Sequence, residues 1–335
     1  MDTEDFVRRA VALTAEDGQE WKRMALEAFR YQSRENAVYR RYLEALGRSP
    51  EEVERVEDIP FLPIGFFKTH RVTCGDFEPQ AVFLSSGTTG MTQSRHYVRS
   101  LENYRRSFTA SWELHYGPVR GRAVLALLPS YLEREGSSLI EMAEGFIRQS
   151  GHAESGFYLY QHRELYDKLN RLADRGERFL LLGVSFALLD FVEKYRLQLP
   201  EEAIVMETGG MKGRREEMTR EQLHAILREG FGVEHIHSEY GMTELLSQAY
   251  SRGEGLYTTP PWMRVMLRDA TDPLSLLPEG CQARGGINIV DLANIDSCCF
   301  IATEDLGAIH PDGRFEVLGR LNGAEVRGCN LLVAK

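Results

Sequence analysis

The chain has 335 residues, of which 43% are hydrophobic and 27% charged. This is enough apolar material for about two domain cores and argues against a disordered chain. Asp and Glu number 50 against 40 Lys and Arg, so the formal net charge is −10. Such a charge disfavours general binding to nucleic acids or anionic membranes, and we expect neither as a partner.

The N-terminus, the hydropathy and the cysteines together predict a cytoplasmic protein with no membrane span. The chain begins with the acidic segment Met1-Asp2-Thr3-Glu4-Asp5, whereas a secretory signal begins with basic residues and an apolar stretch. The most apolar run, residues 179–189, is shorter than the roughly 20 residues that cross a bilayer. The five cysteines form no CxxC pair, which favours reduced thiols over a disulfide framework or a zinc site.

The first predicted element is a helix over residues 18–47, where apolar residues recur every three or four positions until Gly47. After residue 60, short apolar runs that end in turn residues alternate with helical patterns. The runs read as strands are 81–84, 123–128, 179–184, 203–207 and 235–237, and the helical patterns are 186–195 and 216–229. This alternation predicts an α/β fold, a mainly parallel sheet with flanking helices.

From about residue 257 the helical signal fades, and alternating apolar segments are separated by Pro-Glu-Gly and Pro-Asp-Gly turns. We therefore expect a small antiparallel sheet or barrel over residues 257–318, following an α/β part over residues 1–256. Parallel sheets bind ligands in the loops beyond the carboxyl ends of their strands, so we expect the functional site in those loops.

The first candidate site is the loop after the strand at 81–84. It consists of Ser85, Ser86, Gly87, Thr88, Thr89 and Gly90. Backbone N–H groups and hydroxyls in such a loop can point at phosphate oxygens. A Walker A loop is disfavoured because no Gly-Lys-Ser/Thr follows.

A second loop, beginning at Ser238, carries Tyr240, Gly241, Thr243 and Glu244 after a predicted strand. The Tyr can stack on a purine, the Gly allows close approach of a ligand, the Thr can donate to a phosphate, and the carboxylate can hold Mg²⁺.

Two further segments add candidate ligand-binding residues. Asp305 can accept two ribose hydroxyls, and Arg320 can donate to phosphate or ribose. Gly209 and Gly210 end another strand and either let the adenine or acyl group approach or form a simple turn.

These motifs, in this order, resemble the adenylate-forming superfamily of acyl-CoA synthetases, luciferases and peptide-synthetase adenylation domains. Within it the chain is most similar to the LuxE-type acyl-protein synthetases and then to the phenylacetate-CoA ligases. The LuxE likeness rests on the segment from Ile59 to Lys68, on Asn36-Ala37-Val38-Tyr39-Arg40-Arg41-Tyr42, and on Gln93, which stands where many members carry a Lys.

The resemblance implies the fold of the N-terminal domain of these enzymes. It also implies ATP and AMP as ligands, with the triphosphate on residues 85–90 and Mg²⁺ on Glu244. It implies that residues 319–335 are a truncated hinge and that the C-terminal lid domain, with its catalytic Lys, is absent. Lys68, Lys212 and Arg214 are then candidates for charge compensation, and Thr88 and Thr243 join Glu244 and Lys68 as catalytic candidates.

The implied function is ATP-dependent activation of a carboxylic acid as acyl-AMP, with release of pyrophosphate and transfer of the acyl group to a thiol. The accepting thiol belongs to CoA, to the phosphopantetheine of an acyl carrier protein, or to Cys329. A partner enzyme is also possible as an interacting protein. The resemblance to LuxE-type enzymes suggests Cys329 as an acyl acceptor, while a small buried side chain in a last strand is the alternative. Two other functions stay open. One is a non-catalytic adenylate-binding or scaffold protein, and the other is a partial enzyme that needs a separate lid polypeptide.

Overall fold

The computed structural model describes residues 1–85, 92–129, 135–209, 218–278, 280 and 283–321. The helices are α1 (Thr3–Val11), α2 (Gly18–Glu35), α3 (Ala37–Ala45), α4 (Phe66–Thr69), α5 (Leu101–Tyr116), α6 (Ser138–Ser150), α7 (His162–Asp174), α8 (Ser185–Val192) and α9 (Arg220–Phe231). The strands are β1 (Leu62–Pro63), β2 (Ala81–Leu84), β3 (Arg95–Val98), β4 (Ala123–Leu127), β5 (Gly156–Tyr158), β6 (Phe179–Val184), β7 (Ile204–Thr208), β8 (His237–Tyr240), β9 (Ala249–Ser251), β10 (Leu256–Tyr257), β11 (Met263–Arg268), β12 (Arg284–Asp291), β13 (Phe300–Ile309) and β14 (Phe315–Arg320).

A central sheet has the strand order β5-β4-β6-β7-β8-β9. Its first five strands are parallel, and β9 is antiparallel to β8. Every residue of β4, β6 and β7 is buried, as the continuous apolar runs of these strands require when helices cover both faces. The predicted mainly parallel sheet with flanking helices is therefore confirmed, and the carboxyl ends of β6, β7 and β8 lie side by side.

A second sheet has the order β10-β14-β13-β12-β11, and its strands pair antiparallel. The short strand β1 joins it in parallel with β13, so one strand from early in the chain belongs to this late sheet. Among the described strands, β2 and β3 form a separate two-stranded antiparallel sheet. The antiparallel character expected after residue 257 is confirmed.

The expectation of one helix over residues 18–47 is wrong, because the helix is interrupted at Asn36. Asn36 has an extended backbone, and its side-chain oxygen accepts from the N–H groups of Val38 and Tyr39, which starts a new helix. Its Nδ2 donates to the carbonyl oxygen of Ser297 at 2.9 Å. This contact ties the break to the loop before β13.

Two further boundaries differ from expectation around β8. Residues 235 and 236 precede the strand, which instead runs over His237–Tyr240, so Tyr240 ends a strand and does not lie in the following loop. The helix expected over 216–229 is α9, which begins at Arg220 because Thr219 and Gln222 form a capping box there.

The two sheets meet through aromatic side chains. The ring of Tyr240 at the end of β8 packs against Tyr257 and Phe315 of the second sheet, with centroid separations of 5.8 Å and 5.5 Å. The carboxyl edge of the central sheet therefore faces strands β10 and β14 of the second sheet. Among the described helices, none is long and apolar enough to cross a membrane.

Candidate active site

Tyr240 and Asp305 meet at the junction of the two sheets. The Tyr240 hydroxyl donates to Oδ2 of Asp305 at 2.9 Å. Tyr240 is placed by the end of β8, and Asp305 by the middle of β13, where its backbone N–H donates to Thr303 Oγ1. Two residues from separate predicted motifs thus lie in direct contact.

Burial dominates the electrostatics of this pair. Desolvation raises the pKa of Tyr240 well above its ordinary value, so the phenol stays neutral and keeps its proton to donate. Desolvation also raises the pKa of Asp305, while Arg320 and the Tyr240 hydroxyl oppose that shift. The carboxylate oxygens of Asp305 are acceptors at a mostly buried position, which suits recognition of hydroxyl groups.

Two basic side chains, Arg320 and Lys68, lie beside the adjacent carboxylates of Glu304 and Asp305. Arg320 Nε lies 3.5 Å from Asp305 Oδ1, and its Nη1 lies 3.3 Å from Glu304 Oε2. Lys68 Nζ lies 3.9 Å from Oε1 of the same Glu304. Arg320 is 68% exposed and Lys68 36% exposed, so both can turn toward an anionic ligand at this edge.

Glu244 lies in a buried position after β8. Desolvation raises its pKa, and a hydrogen bond from Ser94 together with the charges of Arg320 and Lys68 opposes that shift. The backbone oxygen of Glu244 accepts from Asn294 Nδ2 at 2.8 Å, which fixes the chain at this point. Glu244 therefore shares one electrostatic environment with Lys68 and Arg320, as the predicted site requires.

The predicted phosphate loop begins at Ser85, which is hydrogen-bonded to Gln93 and Ser94. Ser85 Oγ accepts from the N–H of Ser94 at 2.9 Å. The carbonyl oxygen of Ser85 accepts from Gln93 Nε2 at 2.8 Å. Ser94 is buried and faces Glu244. Residues 86–91, between these anchors, lie outside the described residues.

His96 connects the sheet of β2 and β3 to the Tyr240–Glu244 segment. Its ring is buried, and its Nδ1 lies 2.8 Å from the carbonyl oxygen of Thr243. Desolvation lowers the pKa of His96 to about 4, so the ring is neutral at neutral pH. A neutral ring that donates from Nδ1 to this carbonyl holds Thr243 against β3.

Gly209 follows β7 with a φ of +69°, a conformation that favours glycine. Its carbonyl oxygen accepts from Ser185 Oγ at 2.8 Å, and the same hydroxyl lies 3.0 Å from Glu207 Oε2. Glu207 Oε1 in turn lies 3.5 Å from His224 Nε2. The turn after β7 is therefore fixed by buried polar side chains.

Gly241 follows β8 and lies directly above Glu239. A Cβ at Gly241 would overlap Glu239 Oε1 and would lie 3.3 Å from Gln248 Cγ. Glu239 is buried, and its Oε2 accepts from Thr208 Oγ1. The absence of a side chain at Gly241 lets the chain pass closely over a buried carboxyl group.

The structure thus brings together Lys68, Ser85, Tyr240, Gly241, Thr243, Glu244, Asp305 and Arg320, and it places Gly209 at the adjacent strand end. The other predicted residues lie outside the described residues: Ser86, Gly87, Thr88, Thr89, Gly90, Gly210, Lys212, Arg214 and Cys329. Their proposed roles stay predictions.

Sequence reasoning missed Ser94, His96, Glu207 and Glu239 as parts of this edge. His96 had a signal, because it alternates with exposed Arg95 on the strand after a candidate loop. The two glutamates each stand two residues before a glycine at a strand end, and that spacing could have pointed to them.

Comparison with known protein sequences finds a relative that aligns with nearly the whole chain. The sequence is 24% identical, over 342 aligned residues, to a long-chain-fatty-acid–luciferin-component ligase from Vibrio harveyi. The alignment covers 93% of this chain and 87% of that protein. It is also 34% identical over 71 residues to a ligase of the same name from Photorhabdus luminescens, which covers 21% of this chain and 60% of that one. No protein-family model matches.

Solved structures share the fold at low sequence identity. ATP-bound MatB from Rhodopseudomonas palustris has a TM-score of 0.52 at 18% identity and covers 72% of this chain. O-succinylbenzoate CoA synthetase from Bacillus subtilis, in complex with ATP and magnesium, has a TM-score of 0.51 at 19% identity and covers 75%. A 2-hydroxyisobutyryl-CoA ligase has a TM-score of 0.60 at 15% identity and covers 91%.

The chain spans about half the length of the MatB and O-succinylbenzoate CoA synthetase structures, at 48% and 54%. These likenesses confirm the α/β fold of adenylate-forming ligases. The match to the Vibrio harveyi protein confirms the resemblance that the motifs indicated. The chain is similar over nearly its whole length to a LuxE-type acyl-protein synthetase and has the fold of the adenylate-forming ligases.

Proposed function

We propose that this protein activates a carboxylic acid as an acyl-adenylate at the expense of ATP and then transfers the acyl group to a thiol. The observation that carries the proposal is the contact between Tyr240 and Asp305, with Glu244, Lys68 and Arg320 at the same edge. Separate segments of the chain supply these groups, and together they offer the hydroxyl acceptors, aromatic surface and cations that an adenosine nucleotide needs.

The nucleotide binds, in this proposal, along the carboxyl edge of the central sheet. Asp305 accepts the ribose hydroxyls, the ring of Tyr240 forms part of the adenosine pocket, and the loop between Ser85 and Ser94 receives the phosphates. Lys68 and Arg320 lower the repulsion between an anionic carboxylate and the anionic triphosphate. Gly209 and Gly241 allow close approach of the ligand at the ends of β7 and β8.

The residues present fit a magnesium ion that arrives with ATP. Mg²⁺ is commonly held by one or two carboxylates together with substrate phosphates, and a buried carboxyl group with a raised pKa, Glu244, lies beside Ser94. Among the described residues, no three His, Cys, Asp or Glu side chains form a metal-binding group of their own. When bound, Mg²⁺ supplies charge neutralisation at the phosphates.

The first half-reaction needs no covalent enzyme intermediate. A substrate carboxylate oxygen forms a bond to the α-phosphorus of ATP, the bond between that phosphorus and the bridging oxygen to the β-phosphate breaks, and pyrophosphate leaves. The protein contributes position and charge, because both reactants arrive as anions.

In the second half-reaction a thiolate attacks the acyl carbon. A thioester bond forms and the bond from the acyl carbon to AMP oxygen breaks. The thiol is that of Cys329, of CoA, or of the phosphopantetheine on a carrier protein. We propose Cys329 from the resemblance to LuxE-type enzymes.

For the acid, we propose a fatty acid. The name of the Vibrio harveyi relative states a long-chain fatty acid as its substrate, and that relative aligns over 93% of this chain.

Carboxylate-dependent exchange of labelled pyrophosphate into ATP tests the proposal. Purified protein is assayed with a panel of short, long and aromatic carboxylic acids. We expect exchange that requires both Mg²⁺ and an acid and is fastest with a long-chain fatty acid. Nucleotide binding without exchange for any acid would instead favour a non-catalytic adenylate-binding protein.

A further inference from the structure

Resting on the proposed function, we propose that Glu239 is a positioning residue for the nucleotide. As a neutral acid it supports the Gly241 turn from below, and loss of its proton displaces the Tyr240–Glu244 segment and weakens nucleotide binding. Glu239 is not needed for the adenylation chemistry itself, because it lies beneath the strand end and not at the site where Tyr240, Glu244 and Asp305 meet.

The geometry joins Glu239 to the site through two contacts. Its Oε2 accepts from Thr208 Oγ1, which ties the carboxyl ends of β7 and β8 together. Its Oε1 lies so close beneath Gly241 that a Cβ at that position would overlap it. A movement of this carboxyl group is therefore transmitted to the backbone that leads to Thr243 and Glu244.

A parallel arrangement exists one strand away. Glu207 stands two residues before Gly209, as Glu239 stands two residues before Gly241. Glu207 shares the Ser185 hydroxyl with the carbonyl oxygen of Gly209, at 3.0 Å and 2.8 Å. Each of the two glycine turns at this edge is thus supported by a buried glutamate, and the two glutamates lie on adjacent strands.

The surroundings of Glu239 oppose its ionisation. Facing it are Glu207 from β7, Tyr104 from α5, Tyr250 from β9 and Tyr257 from β10. Desolvation raises the pKa of each of these tyrosines, so their hydroxyls are neutral. Desolvation, with a smaller contribution from Glu207, raises the pKa of Glu239 to about 7, and the Thr208 hydrogen bond opposes that rise.

An ionised carboxylate at this place has two ways to reduce its free energy, which are to move toward water or to admit water. Gly241 lies directly over it and has no side chain to resist that movement. Nucleotide affinity should therefore fall as the pH rises through the pKa of Glu239, because the complex requires the protonated acid and the free protein has lost it.

The experiment measures binding of an alkyl phosphodiester of adenosine 5′-phosphate by isothermal titration calorimetry from about pH 6 to about pH 9. This probe carries one negative charge that does not titrate in that range. For the wild-type protein we expect the affinity to fall by about tenfold per pH unit above about pH 7, which is up to roughly a hundredfold across the range. Glu239→Gln, which cannot lose a proton, should bind with nearly constant affinity.

Two further variants separate positioning from a general structural effect. Thr208→Val removes the hydrogen bond that stabilises the ionised form, so the fall in affinity should move to higher pH. Asp296→Asn removes another buried carboxyl group, which pairs with Arg99 away from this edge, and should keep the wild-type pH profile.

A wild-type affinity that is flat with pH, or a fall that persists in Glu239→Gln, overturns the inference while leaving the proposed function intact. Absence of binding at every pH overturns the proposed function and this inference with it. If Glu239→Gln does not fold, the pH profile of nucleotide affinity in Thr208→Val is the test. A shift of that profile to higher pH supports the inference, and an unshifted profile overturns it.

Discussion

The hydroxyl of Tyr240 donates to the carboxylate of Asp305 across 65 positions of sequence, from the last residue of β8 to the middle of β13. This bond links the carboxyl edge of the parallel sheet to the antiparallel sheet. It also places an aromatic ring and a hydroxyl acceptor from two predicted motifs within one crevice.

Replacing Tyr240 by Phe should weaken nucleotide binding and lower the stability of the fold. The variant removes a donor from Asp305, a mostly buried acceptor, at a cost of about 1–2 kcal/mol. Urea unfolding measures the stability, and titration with AMP measures the affinity. Tyr195→Phe is a matched control, because that ring stacks on Tyr166 far from the junction, and should leave AMP affinity unchanged. Unchanged AMP affinity in Tyr240→Phe would contradict the placement of the adenosine at this junction.

Replacing Glu244 by Gln should abolish carboxylate-dependent exchange of pyrophosphate into ATP while leaving AMP binding within about threefold. The reason is that a carboxylate beside the phosphate loop is needed for Mg²⁺ with the triphosphate but not for the nucleoside. Asp296→Asn, a change at another buried carboxyl group, should retain exchange. Exchange at the wild-type rate in Glu244→Gln would contradict the proposal that Glu244 binds Mg²⁺.

His96 should make the stability of the protein depend on pH in the acid range. Its pKa is about 4 when folded, against about 6.5 for an exposed histidine, so the unfolded chain binds more protons between these values. Stability therefore falls as the pH drops from about 6.5 to about 4, by at most about 1.4 kcal/mol per pH unit from this group. The measurement is urea unfolding of wild type and His96→Gln across that range.

The difference in stability between wild type and His96→Gln should shrink as the pH falls, because only the wild-type side chain gains a proton on unfolding. His235→Gln, at an exposed position before β8, should follow the wild-type curve. A constant difference between wild type and His96→Gln at all pH values would show that His96 is not held neutral in the folded state.

Introducing a Cβ at Gly241 should lower stability and nucleotide affinity more than introducing a Cβ at a glycine that has open space around it. In Gly241→Ala the new carbon would overlap Glu239 Oε1, and we expect a loss of about 1–3 kcal/mol of stability and at least roughly tenfold weaker nucleotide binding. Gly156→Ala is the control, since nothing lies within 4 Å of its Cβ. Equal effects of the two substitutions on nucleotide affinity would argue against a constraint at Gly241.

Cys329 should carry the acyl group if it is the thiol acceptor. Cys329→Ser should then keep pyrophosphate exchange at the wild-type rate but lose the protein-bound acyl label that hydroxylamine releases. The label is followed after incubation with ATP and a labelled fatty acid. Persistence of a hydroxylamine-sensitive label on Cys329→Ser would assign the acceptor to another thiol.

Much of the fold follows from local patterns in the sequence. The strand expected at 81–84 is β2, and the strand at 179–184 is β6, because apolar runs bounded by turn residues are local signals. The proximity of Tyr240 and Asp305 was expected from the family resemblance alone, because Asp305 lies within antiparallel strand β13 and not at the end of a parallel strand.

The features that sequence did not predict depend on long-range partners. The helix break at Asn36 is stabilised by Ser297, 261 positions later, and His96 binds Thr243, 147 positions later. Local helical periodicity through residues 18–47 carries no information about such acceptors. The support of Gly209 by Ser185 and Glu207 likewise depends on two segments that only the folded sheet brings together.

A crystal structure of the protein with ATP and Mg²⁺ tests the central claim most directly, because the claim concerns one ligand and several separated segments. We predict a single nucleotide whose ribose contacts Asp305, whose adenosine lies beside Tyr240, and whose phosphates reach Thr88 in the loop between Ser85 and Ser94. A nucleotide bound elsewhere, or bound at Asp305 with its phosphates directed away from that loop, would contradict the account.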